Sequence, residues 1–188
     1  MGFPFKQVAW PAGSDNMGGI ATRAFFCPAR SFTAWPGWES ADSVVLDLSK
    51  ATYLKDEGFI EIYVTYNSGG ISAEPVGDTD GVCSKQSGEF FHPGSTEEMA
   101  RFARAVQNTP GVFVFQDTQG RYRVVGDVVN PAKVTAKHET GKKAEDRNGW
   151  TISFEAYSTR PVVFAKPGAD ASKPPFTVVG GGATPSKP

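Results

Sequence analysis

The chain has 188 residues, 39% of them hydrophobic, and a formal net charge of -1, which places it among globular proteins with one ordinary core rather than disordered, fibrous or multi-domain chains. Lys and Arg are scattered along it instead of gathered on one face, so sequence-specific nucleic-acid binding is not expected. No run of about 18 apolar residues occurs, and the first ten residues lack the apolar stretch and cleavage site of a secretory signal, so the expectation is no membrane partner and synthesis in a cytosol.

The 21 Gly and 14 Pro cut the chain into short runs, a punctuation that favours many strands over long helices. Residues 13–39 fit no regular element; Gly18, Gly19, Pro28 and Pro36 interrupt them. Their large aromatics, Phe25, Phe26, Phe32, Trp35 and Trp38, are costly to leave in water and must pack inward or against a neighbour. Residues 43–48 read as a short strand. Over 59–66 the period is two, with Ile60, Ile62, Val64 and Tyr66 on one face, and Asn67-Ser68-Gly69-Gly70 reads as the turn of a hairpin returning through 71–76.

Ser95 followed by Glu98 has the form of a capping box, and Met99, Phe102, Ala103 and Val106 make one apolar stripe. Together with Asn108 and Pro110 as stop signals they predict a single helix over 95–108, lying on a sheet. Residues 112–115 are apolar on both faces and predict a central strand, joined by the turn 117–120 to a return over 121–129. A third pair, 133–139 with 150–157, is linked by the charged connection 140–149, which is long enough to project or to grip a partner. From residue 166 the chain is rich in Pro and Gly and reads as an arm, flexible when free. Its apolar patch at 176–179 is either a docking segment or part of a disordered tail.

The expected architecture is mainly β with a minor α+β character: an antiparallel β-barrel or sandwich flanked by one amphipathic α-helix, with extended loops. A single domain spans 1–165 and a C-terminal arm 166–188.

Chemistry is sparse. His92 and His138 sit in no recognisable catalytic setting, and no His-x-x-x-His, Cys-x-x-Cys or Gly-x-Ser-x-Gly occurs. Cys27 and Cys83 lack metal-ligand spacing and read as reduced thiols in preference to a disulfide. Asp78-Thr79-Asp80-Gly81 reads as a solvated turn in preference to a calcium loop. No catalytic residue, metal ligand or cofactor is assigned, and no enzyme is expected.

Gly94-Ser95-Thr96-Glu97-Glu98 opening a helix closed by Asn108, the strand 112–115 with its turn 117–120, and the segment 141–150 leading into 151–154 form a pattern over residues 90–165. It resembles virion structural proteins of tailed bacteriophages, and most of all their tail tube proteins. The resemblance implies a homo-oligomer of six-membered rings stacked into a tube through which DNA passes, with other virion proteins as partners and the virion as location. It implies loops and arms as connectors: Phe25, Phe26, Trp35 and Trp38; Lys142, Lys143, Asp146 and Arg147; and Phe176 and Val178. Neck, head–tail or head-decorating proteins and the tubes of contractile secretion systems share the pattern. A different class, a carbohydrate-binding β-sandwich module, would use Trp10, Trp35, Trp38 and Trp150 as a stacking platform.

Overall fold

Alternating and doubly apolar runs resolve into strands along most of the chain. The computed structural model describes residues 7–10, 12–14, 16–170 and 173–180. In order, the elements are β1 (Ile20–Pro28), β2 (Phe32–Ala34), β3 (Val45–Leu46), β4 (Thr52–Tyr53), β5 (Ile60–Tyr63), β6 (Gly70–Val76) and β7 (Cys83–Pro93). Then follow α1 (Glu97–Val106), β8 (Gly111–Asp117), β9 (Tyr122–Val125), β10 (Lys133–Glu139), β11 (Gly149–Ser158) and β12 (Val163–Ala165). A six-stranded sheet runs β3-β12-β9-β8-β1-β5, a four-stranded sheet runs β10-β11-β7-β6, and β2 pairs with β4. The fold is mainly β, with its two main sheets arranged as a sandwich. Among the described residues both sheets end in strands paired on one side alone, so the barrel alternative is not closed.

The six-stranded sheet is the middle layer. One face, bearing Ala24, Phe26, Ile62, Phe113 and Phe115, meets Phe90, Val134, Ile152 and Phe154 of the four-stranded sheet and Met99 and Val106 of α1. The other face, bearing Phe25, Cys27, Val112, Val114 and Val124, is covered by Leu46, Leu48, Phe59 and Phe176 with Phe32, Trp35 and Trp38 packed alongside. The central position of β8 accounts for its doubly apolar sequence, since Val112, Phe113, Val114 and Phe115 are each 0% exposed.

Four expectations change. Residues 20–28, expected to be irregular, form β1, whose apolar residues serve both cores in alternation and so hide the period-two signal. Residues 59–76 are not a hairpin: β5 pairs with β1, whereas β6 pairs with β7 in the other sheet. The chain changes sheet within two residues, because Val64 N–H donates to Thr22 O and Thr65 N–H to Phe91 O. Gly69 permits this corner, since a Cβ there would lie 2.6 Å from Ile20 Cδ1. The eleven-residue β7 had no counterpart in the sequence reading. The helix begins later than the capping box implied: Thr96, not Ser95, is the cap, its hydroxyl accepting from Met99 N–H at 3.3 Å.

Candidate assembly surfaces

The residues expected to connect subunits fall into three places. Phe25 and Phe26 are interior, 0% and 2% exposed, so as the chain stands they belong to its two cores and not to a surface. Burial of both follows from the central position of β1 between β5 and β8. Trp35 and Trp38 are half-buried on the second core, Trp35 against Phe32 at 5.0 Å and Trp38 beneath the Arg160 guanidinium at 3.7 Å. Arg160 is itself held by the carbonyls of Ser43 and Ala41, at 2.7 and 3.1 Å. With Trp150 against His138 at 4.7 Å, these three indoles do not share a stacking platform.

The arm patch docks, and it docks on its own chain. Phe59 N–H donates to Thr177 O at 3.0 Å, and Val179 N–H donates to Phe59 O at 2.8 Å, making a parallel bridge between Phe59 and Val178. Phe176 inserts its ring against Phe59 at 4.6 Å, Phe25 at 5.1 Å and Tyr122 at 5.9 Å. Gly58 leaves room for the approach, since a Cβ there would meet Thr177 O at 3.1 Å and Val179 Cγ1 at 3.3 Å. Residues 171–172 and 181–188 of the arm lie outside the described residues.

Lys142, Lys143, Asp146 and Arg147 are exposed, as a projecting connection requires. The loop is organised from within: the Asp146 carboxylate accepts the N–H groups of Lys142 and Lys143 at 2.7 and 2.8 Å. Those two hydrogen bonds hold its carboxyl below the usual aspartate range. Arg147 reaches back over the Phe91 ring at 5.7 Å. The loop base is latched to the start of α1, where Ser95 Oγ donates to Asn148 Oδ1 at 2.9 Å and contacts His138 Nε2 at 2.6 Å. His92 Nδ1 contacts Tyr63 O at 2.9 Å, and burial pushes the Cys27 thiol up to about 12. Both cysteines are free, and no group of three or more metal-ligating side chains is gathered among the described residues.

A further surface had no sequence signal of its own: the outward face of the four-stranded sheet. Register places Gly70, Ser72 and Glu74 of β6 beside Glu89, Ser87 and Lys85 of β7. It continues through Ser153, Glu155 and Tyr157 of β11 to Thr135 and Lys133 of β10. This face is polar and self-neutralising, with Lys85 paired to Glu155 at 3.3 Å and Lys137 to Glu139 at 2.6 Å. Its two lateral strands, β6 and β10, are seven residues each and, among the described residues, are paired on one side alone, with β7 and β11 respectively. β6 carries Glu74 as its one charge, while β10 carries Lys133 and Lys137 with Glu139. Comparison with protein-family models, curated proteins and solved structures finds no match.

Proposed function

We propose that the chain is a self-assembling structural subunit that closes into rings by pairing β6 of one copy with β10 of the next, in the manner of the tail tube proteins it resembles. The observation that carries this reading is the four-stranded sheet with two free edges of equal length and opposite charge bias. Its strands alternate in direction, each neighbouring pair being antiparallel, so its two edges run in opposite senses. A copy related by rotation therefore presents β6 antiparallel to β10, and the alternation continues across the contact. Free edges are otherwise a liability that a soluble chain must manage. Pro75 removes one donor from the β6 edge, which confines pairing to the stretch from Gly70 to Glu74.

In such a ring the polar face of the sheet lines the lumen, with three lysines (Lys85, Lys133, Lys137) and four glutamates (Glu74, Glu89, Glu139, Glu155). A near-neutral, hydroxyl-rich wall gives a polyanion such as DNA little to adhere to, which suits passage rather than binding. The fused ring, the tube and the virion setting all belong to this proposal.

The test is electrostatic. Glu74→Lys alone, or Lys133→Glu with Lys137→Glu, sets like charges across the edge contact and lowers the yield of rings seen by negative-stain microscopy. All three changes in one chain restore it. Rings that form undiminished with either single-edge reversal would place the contact elsewhere.

A further inference from the structure

One cavity of the fold carries an unbalanced cation. It lies between the two main sheets, at the end where β1 and β6 begin and β8 ends, and holds about 260 Å³. Met17, Ile20, Ile71 and Phe115 give it apolar walls, and Thr118 Oγ1, donating to Met17 O at 2.7 Å, ties the 16–19 segment along its rim. Its charged lining among the described residues is two guanidiniums, Arg121 and Arg123, against one carboxylate, Asp117. That carboxylate is spent on its own turn. Its Oδ1 accepts the N–H groups of Gln119 and Arg121 at 3.0 and 2.8 Å, and its Oδ2 accepts from Arg121 Nε at 3.1 Å. Arg123 Nε stands 3.8 Å from the same Oδ2, beyond hydrogen-bond reach, and is buried with no partner among the described residues. Arg123 is therefore the cation left over. Its guanidinium is set over the Phe164 ring at 5.5 Å, beside that of Arg121 at 5.1 Å.

We infer that this cavity binds a small organic monocarboxylate, its acid group on the outer N–H groups of Arg123 and its apolar body against Met17, Ile20 and Ile71. Size and charge select the class. A cavity of about 150 Å³ holds a benzene ring, so this one takes a ring or a short chain together with its acid group. Two guanidiniums against one carboxylate leave one net positive charge, which a monocarboxylate cancels and a phosphate dianion would reverse in a half-buried site. The planar fork of an Arg side chain also matches the edge of a carboxylate with two parallel hydrogen bonds. The Phe164 ring beneath both guanidiniums holds them in place before a ligand arrives, so little side-chain freedom is lost on binding. This site needs no second copy of the chain and stands apart from the ring reading.

The experiment titrates the full chain with sodium benzoate, benzamide and inorganic phosphate, each separately at neutral pH and constant ionic strength, and follows the backbone amide resonances of Gly18, Gly70 and Ile71. Benzoate is expected to give saturable shifts. Benzamide, with the same ring and no charge, and phosphate are each expected to bind about tenfold more weakly. Arg123→Gln weakens benzoate by about tenfold. Arg121→Gln does the same, because it releases Asp117 to neutralise Arg123. The comparison of benzoate with benzamide needs no variant, so it decides the matter even where a substitution unfolds the chain. Equal binding of benzoate and benzamide, tighter binding of phosphate, or no saturable shift with benzoate overturns the inference. So does an Arg123→Gln chain with native amide dispersion that binds benzoate undiminished.

Discussion

Asp146 gives an exposed, highly charged loop its shape. Lys142, Lys143, Asp146 and Arg147 are legible in the sequence as a projecting charged connection, but the two N–H groups that converge on one carboxylate are not. Their convergence depends on Gly141 at φ 73°, where a Cβ would lie 2.5 Å from Asp146 Cβ. The hydrogen bonds depress the folded-state pKa of Asp146. The order they impart is therefore present above the ordinary aspartate pKa and is lost as pH falls through the lower, folded value. Amide resonances of Lys142 and Lys143 are expected to titrate with a midpoint below the ordinary aspartate value, and to stay flat over that range in Asp146→Asn. A midpoint at the ordinary value would mean that the carboxylate does not hold these amides. Phe25 and Phe26 teach the complementary lesson: an aromatic pair in a Gly- and Pro-punctuated stretch looks like an interface, yet adjacent residues of a central strand serve two cores.

At the scale of elements, the helix separates what sequence pattern can and cannot locate. The stripe Met99, Ala103 and Val106 is buried as its spacing requires, yet two hydroxyls stand side by side at its start. Thr96 caps the helix, while Ser95 is drawn away by His138 and Asn148, partners 43 and 53 residues distant in sequence. Thr96→Ala is accordingly expected to cost about 1 kcal/mol in chemical denaturation. Ser95→Ala should leave α1 intact and instead increase amide exchange at the base of the 140–149 loop. Equal loss of helix stability from both would mean that the capping role is shared. β7 escaped the sequence reading for a related reason: its inward residues include Ser84 and Gln86, so no apolar alternation marks it. Gln86 is held inside by its Nε2, which donates to the carbonyls of Arg160 and Pro161, at 3.0 and 3.3 Å, while its Oε1 is buried without a partner among the described residues. By contrast, the hairpin of β8 and β9 and the pair β10 and β11 lie where alternation and turn residues put them, because each is local and half or fully apolar.

For the whole molecule, the arm changes the meaning of a truncation. From sequence alone, deleting residues 166–188 should spare the monomer and weaken only assembly. In the structure that segment closes the second core: Lys166 N–H donates to Leu46 O at 2.8 Å, the 177–179 backbone pairs with Phe59, and Phe176 is 9% exposed among Phe25, Phe59 and Tyr122. Loss of a buried phenylalanine costs about 3–5 kcal/mol, a large share of the roughly 5–15 kcal/mol that holds a typical domain together. A chain ending at residue 165 is thus expected to unfold at markedly lower denaturant, whereas one ending at residue 180 unfolds like the full chain. Gly58→Val gives an intermediate result, because it pushes Thr177 and Val179 off the edge while leaving Phe176 chemically intact. If the chain ending at 165 keeps its full stability, Phe176 is not a core residue. The arm then reverts to the dispensable connector that its composition implied. If stability falls as expected, impaired ring formation by that chain says nothing about a connector. The role of the arm in assembly is then read from the chain ending at 180, whose two cores are complete.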